Sequence, residues 1–505
     1  MTRRKRVAVQ WPIVLIMLNV CRTISVAQTS TRPFAIIPTT QPGPAAVDPS
    51  ESILSEYTPE APPNPTAPPY TLLRFNEDYH YLASPQNRTD VLDPLKYIPL
   101  NPDDSYSYLS FGGSVRERYE HYTNFGFGTF GQPSHDDYLL QRITLDADLH
   151  LNANVRFFFQ GISGLQFGGE GSPPPVDQNG PDLQQAFADL KLDSSPDSPD
   201  YLIIRGGRFE MSYGSGRIVA LRDGPNIPFK YDGLQLIGEE NGEKIYAFIT
   251  KPAQELRNAF DDEFPGQLFW GVYGTTRMLS QDLGLKADLY YFGYRNNQAS
   301  YANGSGEEVR QTFGTRLFGA VHGFDYNIEP VIETGRFDNH DILAWTFASD
   351  VGYRFELAPA KPRLGLDFDV ASGDTKHGAF GTFSAPYFNA GYFNDASVIR
   401  PSNIIDVHPT LELLPVASVL VVMGSDVLWR YTNNDGIYAP PGNVEIPPGG
   451  SSLYTATAAD LSVQWEINRH LTWITSYSHF FTSDAVRRQG AKDIDYVGTW
   501  LSFTW

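Results

Sequence analysis

The stretch Leu139-Leu140-Gln141-Arg142-Ile143-Thr144-Leu145-Asp146-Ala147-Asp148-Leu149-His150-Leu151 decides how the rest of the 505-residue chain is read. Its residues alternate. Leu139, Ile143, Leu145, Ala147, Leu149 and Leu151 fall on one face of an extended strand; Leu140, Arg142, Thr144, Asp146, Asp148 and His150 fall on the other. Strict period two places one row of side chains in an apolar medium and the other in a polar one. The pattern returns at Leu343–Leu357, where Leu343, Trp345, Phe347, Val351, Tyr353, Phe355 and Leu357 oppose Thr346, Asp350, Arg354 and Glu356. At Leu453–Ile467 the apolar row Leu453, Leu461, Val463, Trp465 and Ile467 opposes Asp460, Gln464 and Glu466. Composition agrees, since 28 Tyr, 32 Phe and 44 Gly suit strands and turns better than helices.

Two all-β architectures produce this alternation. A soluble sandwich or β-helix buries the apolar row in a core, whereas a transmembrane antiparallel barrel turns it to lipid and leaves the polar row around a lumen. From Tyr106 to Trp505 the alternating stretches run about ten residues, the length of a tilted spanning strand. Leu411–Met423 is the most apolar run of this region, but Pro415 interrupts it, as between two hairpin strands. Tight turns such as Leu279–Asp282 and Asn468-Arg469 contrast with long polar connections at Gly168–Pro181, Gly373–Pro401 and Asn433–Ser452. The chain also stops on an aromatic strand, with Val497, Thr499, Leu501, Phe503 and Trp505 on one face. These features select the barrel. About 18 strands are predicted, between 108–122 and 493–505, an even number as single-chain barrels require. A wall of that size encloses water rather than a side-chain core.

The first residues supply an address. Arg3, Arg4, Lys5 and Arg6 precede an apolar run from Val7 to Val20, and Ser25-Val26-Ala27 offers small residues for cleavage. That is a secretory signal peptide over residues 1–27, too short to span a bilayer. Its removal takes away five basic residues, no acid and Cys21, the one cysteine. The formal charge moves from −20 to −25, and the mature chain has no thiol for a disulfide or a thiolate metal site. Residues 28–105 form a second region, rich in proline from Pro33 to Pro69 and without periodicity. It reads as a largely disordered periplasmic tail or strap, whose portion from Tyr70 to Leu100 regains enough apolar residues to pack on the barrel. Whether this tail grips a periplasmic export or assembly partner is left open.

The negative charge excludes a nucleic-acid partner. Catalysis finds no support, because no nucleophile elbow, phosphate loop or zinc-protease motif occurs and the ten histidines are scattered. The pairs Asp146/Asp148 and Asp367/Asp369 could mimic a glycosidase dyad, but polar lumen lining explains them with fewer assumptions. No cofactor or metal is expected. Asp261, Asp262, Asp338 and Asp341 lack the order of a calcium loop, and that question stays open.

By strand parity the inward cations are Arg116, Arg118, Arg142, Arg310, Arg316, Arg354 and Arg363. The densest basic stretch is Ile204-Arg205-Gly206-Gly207-Arg208-Phe209-Glu210, then Tyr213-Gly214-Ser215-Gly216-Arg217-Ile218-Val219, Arg222 and Phe229-Lys230-Tyr231-Asp232-Gly233-Leu234. Arg205 and Arg208 have opposite parity, so both face inward only if Gly206-Gly207 forms a bulge. This succession resembles the alginate export porin family, as do Arg363–Asp367 running into Ala371–Asp374, the aromatic loop Phe383–Phe393 and Asn403–Asp406. The resemblance implies a monomeric 18-stranded barrel in the lipid of the bacterial outer membrane. It further implies an arginine-lined lumen that passes an anionic uronate polysaccharide, or its oligomers, outward. Arg205, Arg208, Arg217, Arg222, Lys230 and Asp232 would join the wall arginines along the substrate path. Two readings of those arginines stand side by side. They lower the barrier for a polyanion, or each braces the wall through a neighbouring lumen acid, of which Asp146, Asp148, Glu329, Glu333, Asp367, Asp369, Asp460 and Glu466 are the candidates. Under the second reading the barrel is a general or sugar-uptake porin.

Overall fold

The computed structural model describes residues 68–129, 133–192, 198–257, 259–440 and 442–505. The expected signal peptide and the prolines from Pro33 to Pro65 lie outside them. Each wall strand from Tyr108–Thr123 to Ile494–Thr504 pairs antiparallel with the next. The last strand then pairs with the first, from Ser114 opposite Thr504 to Thr123 opposite Asp495, and the sheet closes. It contains 21 strand segments. Ile98–Pro99 and Asp262–Glu263 are two-residue pieces outside the wall, and Val419–Gly424 and Val427–Arg430 are halves of one strand. The wall is therefore an 18-stranded barrel, as the alternation predicts.

The outward face is greasy and exposed. Leu145 is 60% exposed, and Leu234, Ile249, Leu343 and Phe481 are more than half exposed. On the same strand as Leu145, the inward residues Arg142, Thr144, Asp146 and Asp148 are buried. A water-soluble sandwich would show the reverse, so the exposed rows are the lipid face. No helix among the described residues is long and apolar enough to cross a membrane.

One end of the barrel carries tight turns. Asn241-Gly242 and His322-Gly323 connect hairpins with φ of 55° and 79°, and 52° and 82°, the left-handed pair that a two-residue hairpin loop requires. The opposite end carries the long connections 210–230, 372–403 and 431–453. Two connections depart from the expected alternation, because Ala302-Asn303 and Asp338-Asn339 are tight turns on the long-loop end. The strand predicted over 201–213 stops at Phe209, since the chain there leaves the wall and enters the lumen. Residues 210–230 and 372–403 meet inside it: Ala220 donates its N–H to the Tyr387 carbonyl at 2.7 Å, and Asn389 donates to that of Gly216 at 3.0 Å. Their docking surface is an aromatic stretch of inner wall, where Tyr213 stacks on Tyr273 at 4.9 Å beside Phe248 and Phe292.

Residues 68–107 pack across the tight-turn end. Arg74 donates to the Trp505 carbonyl at 2.8 Å and pairs with Glu77 at 2.8 Å. Asp90 meets His470 at 2.7 Å, and the Phe75 ring covers the Arg205 guanidinium at 4.2 Å. Gly112 makes room for this strap, since a Cβ there would lie 2.6 Å from Asp146 Oδ2 and 2.9 Å from Lys96 Nζ. The Lys96 ammonium is 2% exposed, has no hydrogen-bond partner, and sits over the rings of Tyr79 and Tyr70 at 4.9 and 5.5 Å. Burial, and then the Arg74 charge, push its pKa down from 10.5 to about 8. A released strap thus holds more protons than a docked one between those values, and docking strengthens as pH rises through that window. Proteolysis of the folded barrel in detergent should cut within 70–105 at least about threefold faster at pH 7.5 than at pH 9.5, scaled to a reference peptide. Lys96→Met should remove the difference; equal wild-type rates would refute the linkage.

Candidate functional site in the lumen

Wall parity brings Arg116, Arg118, Arg142, Arg205, Arg310, Arg316, Arg354 and Arg363 to the lumen face, all at least nine-tenths buried. Charges in so confined a space require partners. Arg310 lies 2.7 Å from Glu308 and 2.5 Å from Glu333. Arg363 bridges Asp325 at 2.5 Å and Asp350 at 2.7 Å, and Arg354 meets Glu412 at 2.5 Å. Arg316 donates to Asn327 at 2.9 Å and faces Asp288 at 3.4 Å. Arg205 grips Asp189 with two bonds, at 2.8 and 2.9 Å, its plane held between Phe75 and Phe187.

Three wall arginines hold the inserted loop 210–230. Arg116 donates to the carbonyls of Asp223, Gly224 and Pro225 at 2.5, 3.0 and 3.1 Å. Arg118 reaches the Gly224 carbonyl at 3.2 Å while paired with Glu120 at 2.6 Å, and Arg142 pairs with the Asp223 carboxylate. Within the loop Arg222 turns away toward Glu255 and the Ile227 carbonyl, over the Phe229 ring at 4.0 Å. Lys230 sits between Asp182 and Asp261 at 2.9 and 2.7 Å.

Arg208 and Asp232 are corrected. The ladder through Gly206-Gly207 is regular on both sides, so there is no bulge to rotate Arg208 inward. Arg208 shares the parity of Leu202 and Ile204, and Asp232 that of Leu234, all on the outer face. There the two form a bidentate pair at 2.8 and 2.7 Å, outside the lumen.

Arg217 behaves differently from the other lumen cations. It projects from the loop, 7% exposed, over the Tyr392 ring at 5.5 Å. Glu329 and Asp369 stand 3.7 and 3.8 Å away, beyond hydrogen-bond reach. Both carboxylates are already engaged by hydroxyls: Ser215 and Tyr290 donate to Glu329, and Tyr392 donates to Asp369, each at 2.7 Å. The Arg217 Nε and Nη1 hydrogens have no acceptor. Beside it is a cavity of only about 10 Å³ lined by Val331, Thr346 and Phe383. The suspected dyads are also spent on lining, with Asp146 accepting from Gln160 at 2.8 Å and Asp148 from Arg156 at 2.7 Å.

The alternation missed the aromatic part of the inner wall. Tyr290-Tyr291-Phe292, with rings on both faces, was the available signal. Asp406 and Asp426, buried on the lumen side, were missed as well.

A closed barrel with a lipid face, inserted loops and a charged lumen defines an outer-membrane channel. The family model for alginate export matches residues 107–499, and the chain belongs to that family. No curated protein sequence matches it significantly. Similar solved structures include OccK2 of Pseudomonas aeruginosa in complex with glucuronate, at 13% identity and a TM-score of 0.51, covering 78% of this chain and 96% of that one. A BenF-like porin of Pseudomonas fluorescens aligns at 12% identity with a TM-score of 0.54, covering 79% and 98%. OpdK of Pseudomonas aeruginosa with vanillate aligns at 12% and 0.52, covering 78% and 98%. At such identities the likeness is one of fold.

Removing Arg116 and Arg142 should free the loop without opening the wall. Together they hold the backbone of residues 223–225 and the half-exposed Asp223 carboxylate. The Arg116→Gln/Arg142→Gln barrel should stay heat-modifiable on gels yet show at least about twofold higher unit conductance in planar bilayers. Unchanged conductance would mean that the loop is held elsewhere.

Proposed function

We propose that this outer-membrane channel exports an anionic, uronate-type polysaccharide or its oligomers, with Arg217 as the contact that selects the charge. The observation that carries the reading is a buried guanidinium with unspent hydrogens beside carboxylates already engaged by hydroxyls. A planar sugar carboxylate offers two oxygens in the geometry a guanidinium accepts, and Arg remains charged at any working pH. The paired wall arginines extend this contact. Each can exchange a protein carboxylate for a uronate one, so binding stays weak and repeated, as conduction requires. A sugar ring cannot enter the space beside Arg217 as it stands, so loops 210–230 and 372–403 must part for cargo to pass. Family membership supports the outward direction.

A second reading is a general or sugar-uptake porin, favoured by the acids Asp406, Asp426 and Asp460 facing the same lumen. Ion selectivity and block separate the two. The exporter should be anion-selective and blocked by oligouronate at least about tenfold more strongly than by neutral dextrin of equal length. Arg217→Ser should erase most of that preference while leaving the barrel folded. Cation selectivity with equal block by both sugars would support the porin instead.

A further inference from the structure

Strands Ile404–Val416, Val419–Gly424 and Val427–Arg430 hold a cluster of acids around one histidine on their lumen face. Asp406, His408 and Asp426 each direct one ligand atom to a common point, and those atoms lie within 4.8 Å of one another. His408 Nδ1 is 3.2 Å from Asp426 Oδ1, and its Nε2 faces Asp460 Oδ1 at 3.6 Å. The register against Ile404–Val416 is the same on both sides of Ser425-Asp426, from Thr410 opposite Gly424 to Val407 opposite Val427, and it sets Asp426 opposite His408. A Cβ on Gly424 would overlap the His408 ring and lie 2.7 Å from Asp460 Oδ2, so only bare backbone leaves room for the imidazole.

Asp406 is the independent sign. It is 1% exposed, and neither carboxylate oxygen has a hydrogen-bond partner. Asp426, fully buried, has one oxygen held by Asn394 at 2.9 Å and the other without a hydrogen bond. Among the described residues no Lys or Arg pairs with Asp406, Asp426 or Asp460; the last two face His408. An acceptor-only group buried without a donor is what a missing cation leaves behind.

The geometry points to a divalent transition-metal site formed by Asp406, His408 and Asp426. One imidazole among carboxylates suits Zn²⁺ or Mn²⁺, whereas Ca²⁺ and Mg²⁺ take oxygen donors alone. The ion would join two wall strands. Through Asn394 it would also fix the inserted loop 372–403, giving a lumen-facing metal a hold on the constriction.

The full barrel, purified in detergent, stripped with chelator and dialysed, is offered Zn²⁺ or Mn²⁺ alone. We expect one equivalent of Zn²⁺ per barrel and a raised unfolding midpoint. Bound Mn²⁺ should lose the resonance of the free aqua ion. Asp406→Asn and His408→Gln should each weaken binding at least about tenfold; Asp426→Asn serves if either fails to fold. Uptake by the wild type no greater than by the variants would overturn the site. So would a stripped wild type unresponsive to metal while Asp406→Asn is equally stable or more so, since the carboxylate would then simply hold a proton. Displacement of Zn²⁺ by equimolar Ca²⁺ would overturn the choice of ion.

Discussion

A backbone taken out of water must find all its hydrogen-bond partners within itself, and the rest of this molecule is arranged around that requirement. An open sheet would leave two unpaired edges in lipid. Pairing Tyr108–Thr123 with Ile494–Thr504 removes both, so the chain termini of the wall are also its seam. Closure then fixes the side chains. Every residue with the parity of Leu145 meets lipid and every residue with that of Arg142 meets the lumen, and no local repacking can exchange them. The strap strengthens this seam at the tight-turn end, because Arg74 binds the last carbonyl of the last strand.

The lumen inherits a second constraint. Inward residues are polar because water fills barrels of this width, yet inserted loops then bury many of them. Buried charge demands compensation, which explains why the arginines of the inner wall come with acids or loop carbonyls. Two earlier alternatives thereby become complementary. Arg310, Arg363 and Arg205 brace the wall, whereas Arg116 and Arg118 hold the inserted loop by its backbone oxygens and Arg142 holds it by the Asp223 carboxylate. Arg217 keeps two of its nitrogens without an acceptor, where Arg116 and Arg142 keep one each.

Period two made the wall legible in the sequence, because parity in a strand is a local property. Strand number, lipid rows and most inward arginines follow from it. What lies across the lumen does not. The inward fold of 210–230 depends on Tyr213 finding Tyr273 and Phe292, residues far along the chain, and glycine-rich sequence gives no period to betray it. Arg208 was misplaced for a related reason: two glycines invite a bulge, but the ladder through them is regular because both neighbouring strands register without a slip. Asp406 stands two residues from His408 on one face of the same strand, a local signal that went unread, whereas Asp426 reaches them only through the pairing of the next strand.

Both inserted loops are moored through groups of mixed sign. Loop 210–230 gives carbonyls to Arg116 and Arg118 and the Asp223 carboxylate to Arg142, while its Ser215 hydroxyl donates to Glu329. Loop 372–403 gives Tyr392 and Asn394 as donors to Asp369 and Asp426, while its Thr382 carbonyl accepts from Arg310. On the proposed export reading, a polyanion in the lumen would compete with the loop carbonyls for Arg116 and Arg118, and since a carboxylate is a stronger acceptor for a guanidinium than a carbonyl is, that exchange would favour the cargo. At Arg142, where Asp223 already supplies a carboxylate, the exchange would be close to even. On that reading the cargo would loosen loop 210–230 at Arg116 and Arg118, and the bonds this loop shares with loop 372–403, Ala220 to Tyr387 and Asn389 to Gly216, would carry the change to the second loop.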